Sequence, residues 1–406
     1  MALTPPPAAL TGALVTTLKA TRMKPAILAL SALALSLSAC ASWPERLPVT
    51  ASDQADARVP GYEDIRLWDD AAPARWLDWR GTLFSERTQA GRTTRVEMLA
   101  ISSGSDKGAY SAGFLNGWSE AGTRPEFDIV SGVSTGALIA PFAFLGEDYD
   151  PHLESLYTSI DADAIYNATP LRGLFGGPAV ASTKPLVRLI ESYADDALID
   201  AVAREHRRGR RLLVQTTNLD AERGVVWDMG AIAVSDNPSR YALFRQVLLA
   251  SASIPGLFPP VLIDVTSGDA DFSELHVDGA TTSSIVAIPP ALLFAPEQNG
   301  PYVEGRVTIL YNGALQPVFR VSEPTVFSLL DRALTVSLKA ADQRTIRALR
   351  RYADETGLRL EVYSIGSQAD DPDVDMFDPD FMQMLFDRGR DAALSAQGKA
   401  KAPHGD

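Results

Sequence analysis

Phe127-Asp128-Ile129-Val130-Ser131-Gly132-Val133-Ser134-Thr135-Gly136 is the stretch on which the reading of this chain turns. Phe127 to Val130 is a short, mostly apolar run, which predicts a buried strand broken by Gly132. Thr135 to Leu145 is apolar on nearly every side, which predicts a buried helix. Strand, tight turn and helix form the setting that projects a serine hydroxyl from the end of a sheet. Glycine on both flanks relieves crowding around a strained residue, and the free N–H groups at the helix start favour developing negative charge. Gly132 to Gly136 therefore reads in one of two ways. Either it is a nucleophile elbow with Ser134 at its tip, or it is a plain turn whose small residues permit close packing.

Working outward, Val96 to Ile101 predicts a strand and Ala109 to Glu120 a helix ended by Gly122. Between them Ser103-Gly104-Ser105-Asp106-Lys107-Gly108 is a second small-residue turn. Consecutive N–H groups in such a turn can hold an anion, here an oxyanion formed at Ser134. The bland alternative is a helix start capped by Ser105 or Asp106. The spacing fits neither a P-loop nor a dinucleotide fingerprint. Further strands are predicted over 212–216, 225–228, 307–311 and 360–365. Helices are predicted over 184–193, 197–206, 241–250, 325–351 and 379–394. This alternation predicts an α/β fold with a mostly parallel central sheet flanked by helices. Residues 149–185 are poorly patterned and read as a cover or a long surface connection.

A serine nucleophile needs a proton acceptor. Only four histidines exist, and His152, His206 and His404 stand in a weakly patterned insert, a basic run and a tail expected to be disordered. His276 is followed two residues later by Asp278, in Leu275-His276-Val277-Asp278-Gly279-Ala280. On a strand the two side chains share a face, which makes a three-membered relay awkward. The simpler reading makes Asp278 itself the base, since a carboxylate with little water around it becomes a better proton acceptor. Asp278-Gly279 also reads as an ordinary turn.

Taken together these segments resemble the patatin-like phospholipase family. Gly132-Val133-Ser134-Thr135-Gly136 is similar to its Gly-x-Ser-x-Gly motif, Asp278-Gly279-Ala280 to its Asp-Gly-Gly/Ala motif, and Ser103 to Gly108 to its glycine-rich turn. Ala250-Ser251-Ala252-Ser253-Ile254-Pro255-Gly256-Leu257-Phe258-Pro259-Pro260 and the strand pair around Thr217-Asn218-Leu219-Asp220 also look like family segments. The resemblance covers roughly residues 95–290, and more weakly extends to about 395. It implies a three-layer fold, a lipid acyl hydrolase with Ser134 as nucleophile and Asp278 as base, and the N–H groups of Gly104 and Ser105 as oxyanion hole. It implies no metal and no organic cofactor. This chain departs from the pattern where Ser103 and Ser105 replace the first and third glycines. A residue other than glycine at φ > 0 costs about 1–2 kcal/mol, so these positions either have φ < 0 or reshape the turn. The departure motivates a second reading, a lipid-binding or scaffolding protein on the same fold without turnover.

The 406 residues carry a net charge of −14, from 37 basic and 51 acidic side chains, and 46% are hydrophobic. Such a chain buries a large core, and it lacks the basic face that nucleic-acid binding needs. The single cysteine, Cys40, excludes an intramolecular disulfide and a cysteine-rich zinc site. Lys24, then a mostly apolar run through Leu37-Ser38-Ala39, then Cys40 has the layout of a secretory signal. Leu37 to Cys40 resembles the bacterial lipobox, in which the cysteine becomes a lipidated first residue. Met23 is a candidate start, and Ala41-Ser42 fits outer-membrane sorting. The expected organisation is a signal over 1–39, a tether and irregular segment over 40–94 pinned by Trp68, Trp76 and Trp79, a catalytic domain over 95–395, and a tail over 396–406. The expected protein is a membrane-anchored lipoprotein of the cell envelope acting on a lipid or ester. Asp370-Asp371-Pro372-Asp373-Val374-Asp375 reads as a solvated acidic loop, because Met376 and Met382 stand where a calcium loop needs Gly and Glu.

Overall fold

In the computed structural model the described residues are 46, 47, 49–159, 167, 168, 179, 181–293, 304–366, 374 and 376–401. The chain divides into two compact units, 1–45 and 46–406, and every described residue belongs to the second. The leader, Cys40, the acidic run 370–375 apart from Val374, and His404 lie outside the described residues.

The strands are β1 (Arg66–Trp68), β2 (Val96–Ile101), β3 (Ile129–Val133), β4 (Asn167–Ala168), β5 (Ala181–Ser182), β6 (Arg211–Asn218), β7 (Arg223–Asp228), β8 (Val261–Ser267), β9 (Ala270–Asp278), β10 (Gly305–Tyr311) and β11 (Arg359–Ser364). Nine of them form one sheet in the order β1-β7-β6-β3-β2-β10-β11, with β9 also on β6 and β8 on β9; β4 and β5 pair apart. The run β6-β3-β2-β10-β11 is parallel throughout. Parallel strands buried on both faces read as continuous apolar runs, which is why β2, β3 and β10 were legible.

The sheet is the middle layer of three. Alternate residues of each strand face opposite sides. Leu99, Ile101, Val130 and Val214 pack with the helices α2 (Gly108–Glu120), α3 (Thr135–Leu145), α4 (Lys184–Tyr193), α5 (Asp196–Arg207), α6 (Arg240–Ser251) and α8 (Pro379–Lys401). Met98, Ala100, Ile129 and Ile309 pack on the other side with α1 (Pro73–Gln89) and α7 (Val326–Thr356). Helices α2 and α8 approach so closely that a Cβ on Gly113 or Gly117 would overlap the backbone of Phe386 or Arg390.

The stretch 50–94 is more regular than expected. It holds α1 and β1, with β1 pairing antiparallel to β7 at the sheet edge. Trp76 is buried and meets Trp79 edge to face at 6.0 Å. Instead of pinning an irregular segment to the surface, Trp76 and Leu83 are the inward side of a packed helix. Arg66 of β1 forms an ion pair with Glu274 of β9, whose side chain is wholly buried.

Candidate active site

Sheet register brings Ser134 and Asp278 together. Val133, the last residue of β3, is opposite Gln215 of β6, and the next residue of β6, Thr216, is opposite Asp278 at the end of β9. Both side chains thus emerge at the carboxyl edge of the parallel strands. The Ser134 hydroxyl faces the Asp278 carboxyl and favours its ionised form.

Ser134 has φ 56° and ψ −122°, a conformation that non-glycine residues rarely adopt. The surroundings hold it there. Its N–H donates to Ser251 Oγ at 3.0 Å, and that hydroxyl donates to the Gln215 carbonyl at 2.7 Å. A Cβ on Gly132 would overlap the Gly136 carbonyl, and one on Gly136 would overlap that of Ile101. The two flanking glycines are therefore required by close approach of backbone to backbone. Helix α3 begins directly after Ser134 and turns its positive end toward the serine oxygen.

Asp278 is buried, and burial pushes its carboxyl up to about 7 against the opposing pull of the Ser134 hydroxyl and the Ala280 N–H. That N–H donates to Asp278 Oδ1 at 2.8 Å. The Asp278 N–H donates to the Ser253 carbonyl at 2.9 Å, so α6 and the residues after it brace both members of the pair.

His276 is turned away from this pair. Trp227 Nε1 donates to Thr216 Oγ1 at 2.8 Å, and Thr216 Oγ1 lies 2.8 Å from His276 Nδ1. His276 Nε2 lies 2.9 Å from Glu274 Oε2. The network has one consistent direction, with Thr216 donating to Nδ1 and Nε2–H donating to Glu274. Burial lowers the His276 pKa, in keeping with this neutral ring. His206, in the basic run, is mostly buried, 3.5 Å from Asp228.

The Ser103–Gly108 turn stands beside Ser134 at the same sheet edge. Ser103 N–H is taken by the Ser284 carbonyl at 3.1 Å. The N–H groups of Gly104 and Ser105 donate to no acceptor among the described residues. The two serines behave differently. Ser103 is not among the positive-φ residues, whereas Ser105 has φ 56°, so the chain accepts left-handed backbone there rather than reshaping the turn. Gly104 is fixed by Asn312, since a Cβ would overlap the Asn312 side chain and stand 2.5 Å from its carbonyl oxygen. Asn312 is itself held by Ser102 and Ser111 at 2.6–2.9 Å. Gly104→Ala is therefore expected to displace the turn while leaving the Ser134 bend intact. If the turn is an oxyanion hole, turnover falls about 10²–10³-fold. Steady-state kinetics on a soluble ester, beside a circular-dichroism melt, checks this.

Sequence reading did not assign Ser251 or Asn312 a role. Ser251 was visible as part of the Ala250–Pro260 segment, whereas nothing local marks Asn312, which acts only through the β2–β10 pairing.

An apolar hollow opens at Ser134 and Ser105, walled by Leu138, Leu156, Leu186, Leu189, Phe258 and Phe377. A second hollow shares Leu138, Leu156 and Leu189 with it and runs on to Phe142, Tyr193 and Leu198. Together they can take an unbranched apolar chain extending away from the serine.

Residues 99–291 match the family model described as patatin-like phospholipase. No curated protein matches the chain. Among solved structures, the crystal structure of VipD from Legionella pneumophila is similar, at 12% identity and a TM-score of 0.38, over 75% of this chain and 67% of that one.

Proposed function

Residues 99–291 form a patatin-like phospholipase domain, and from that premise we propose a serine lipid acyl hydrolase working through a Ser134–Asp278 dyad on a lipoprotein anchored at Cys40. The observation that carries the reading is a serine on a strained bend facing a buried carboxyl, at the mouth of an apolar hollow.

Ser134 Oγ attacks the ester carbonyl while Asp278 takes its proton. The carbonyl oxygen becomes an oxyanion beside the N–H groups of Gly104 and Ser105 and the start of α3. Collapse of this intermediate expels the alcohol, which takes the proton back from Asp278, and leaves the acyl group on Ser134. Asp278 then draws a proton from water, which attacks the acyl-enzyme; the Ser134 oxygen leaves with that proton and the fatty acid is freed. The Leu-lined hollow accepts the acyl chain. The anchored protein belongs to the cell envelope, at the outer membrane in a Gram-negative cell. Multiple acyl chains on Cys40 hold it at the bilayer against the general repulsion of an acidic surface.

A fluorophosphonate probe tests the dyad, because the probe needs an activated serine beside an oxyanion hole. The expected result is labelling that disappears in Ser134→Ala and slows strongly in Asp278→Asn. Equal labelling of parent and variants would overturn the reading. The rival, a lipid-binding protein without turnover, draws on Ser105 standing at φ 56° in place of glycine. Absence of labelling in folded parent protein would favour it.

A further inference from the structure

Helix α7 is far longer than the strands it connects. Its 31 residues span about 46 Å, whereas the 7 residues of β10 span about 23 Å. It joins two parallel neighbours, β10 and β11, so it runs antiparallel to them and begins at their carboxyl edge. The packed part is its second half, where Ile346, Leu349 and Tyr352 enter the core. The crossing point is marked by Tyr311, the last residue of β10, whose hydroxyl donates to Asp342 at 2.8 Å. The first half therefore overhangs the sheet by roughly 24 Å, on the edge that carries Ser134.

That overhang is apolar where it meets water. Val326, Leu329, Leu330 and Leu334 recur at helical spacing on one face and are 52–70% exposed. In the irregular stretch before the helix, Phe319 is 93% exposed and Val321 81%. Isolated surface leucines need no explanation, but a continuous stripe of this size does. The charge around it is also distinct. From Gln316 to the end of the helix at Thr356 there are seven basic and five acidic residues, a net +2 within a chain of −14. Arg344 and Arg347 continue the apolar face toward the C-terminal half of the helix and are exposed, and Arg351 beyond them pairs with Glu355 at 2.8 Å.

We propose that this face of α7, with the segment carrying Phe319 and Val321, docks on an anionic lipid bilayer. Apolar side chains with basic residues along the same exposed helix face match an interface whose headgroups are negative and whose interior is hydrocarbon. The acidic remainder of the molecule is repelled by the same surface, so the attraction is confined to this element and sets an orientation. Docking brings the edge bearing Ser134 to the lipid. The surface goes beyond the hydrolase reading and does not depend on it, because insertion needs no turnover.

An environment-sensitive fluorophore tests this on the full chain. In a Cys40→Ser background, Leu334→Cys gives a single thiol in the stripe. Arg204→Cys gives a control on α5, across the sheet from α7. The expected result is a blue shift at position 334 on adding phosphatidylglycerol-containing vesicles, none at 204, and a smaller shift with pure phosphatidylcholine or high salt. Leu329→Asp and Leu330→Asp should each weaken vesicle binding at position 334 by about tenfold or more. No shift at 334, equal shifts at 334 and 204, or equal shifts with both lipids would overturn the proposal. So would a shift without vesicles that grows with protein concentration, which would identify a second copy of the chain as the occupant. Ser134→Ala should leave every one of these readings unchanged, so failure of the hydrolase reading and failure of this one are separately visible.

Discussion

Alanine at position 134 is expected to lower kcat/KM on a short-chain ester by about 10⁴-fold or more, and asparagine at position 278 to do nearly as much. The double variant should be no worse than the worse of the two, because the pair acts as one unit. Neither change should prevent folding. Ser134 loses one hydroxyl, while the backbone bond to Ser251 and the close glycine contacts remain. The pH dependence adds an independent signature. In the proposed mechanism Asp278 must be ionised to accept the serine proton, and burial pushes its pKa up to about 7. Activity of the parent should therefore rise as pH increases through about 7. The linkage to stability has the opposite sign. A carboxyl whose folded pKa lies above its unfolded value of about 3.9 favours the fold while protonated, and that contribution is lost as pH rises through about 7. Asp278→Asn should then be more stable than the parent at pH 8, with the gain vanishing below about pH 4. A variant as active as the parent would end the dyad, and a flat pH profile would remove Asp278 from the role of base.

Arg66→Ala should cost about 3–5 kcal/mol of stability at neutral pH, the usual consequence of leaving a buried charge without its partner. Glu274 is fully buried; burial pushes its pKa up, but the bond from His276 and the charge of Arg66 outweigh this and hold it at about 2. Stability from a depressed carboxylate is complete above its unfolded pKa near 4.5 and is lost as pH falls toward 2. The gap between parent and variant should therefore narrow in acid. Urea midpoints at pH 7 and pH 3 measure it. Glu274→Gln added to Arg66→Ala should restore part of the loss, since the amide removes the orphaned charge. Equal midpoints for parent and Arg66→Ala at pH 7 would show that the pair contributes nothing.

The strand–bend–helix at Ser134 was legible because three signals agree there: an apolar run, small residues at the turn, and a second apolar run of helical length. Asp278 could be singled out only by comparing it with the few histidines, and its environment was invisible, because β9 pairs with β6 over a separation of some sixty residues. Strands β8 and β9 escaped prediction for a definable reason. Glu274 and His276 point inward on β9 and disguise its alternation as polar sequence, and their partner Arg66 lies far upstream. Helix α1 was hidden by its composition, since Trp76 and Leu83 bury while much of the rest is charged or small. The turn at Ser105 could be found in the sequence, but its sign of φ could not. The neighbour that crowds Gly104 in the same turn, Asn312, comes from just after β10, far along the chain.

The placement of β10 has a practical consequence. It lies between β2 and β11 in mid-sheet, yet it comes after residue 291, and Asn312 at its end shapes the turn beside Ser134. At the opposite margin, Arg66 of β1 neutralises a buried acid on β9. Cutting the protein back to its recognisable portion would bare two raw strand edges and strand a carboxylate in oil. The flanks are thus structural members of the enzyme body, and any trimmed version meant for crystals or assays has to carry both.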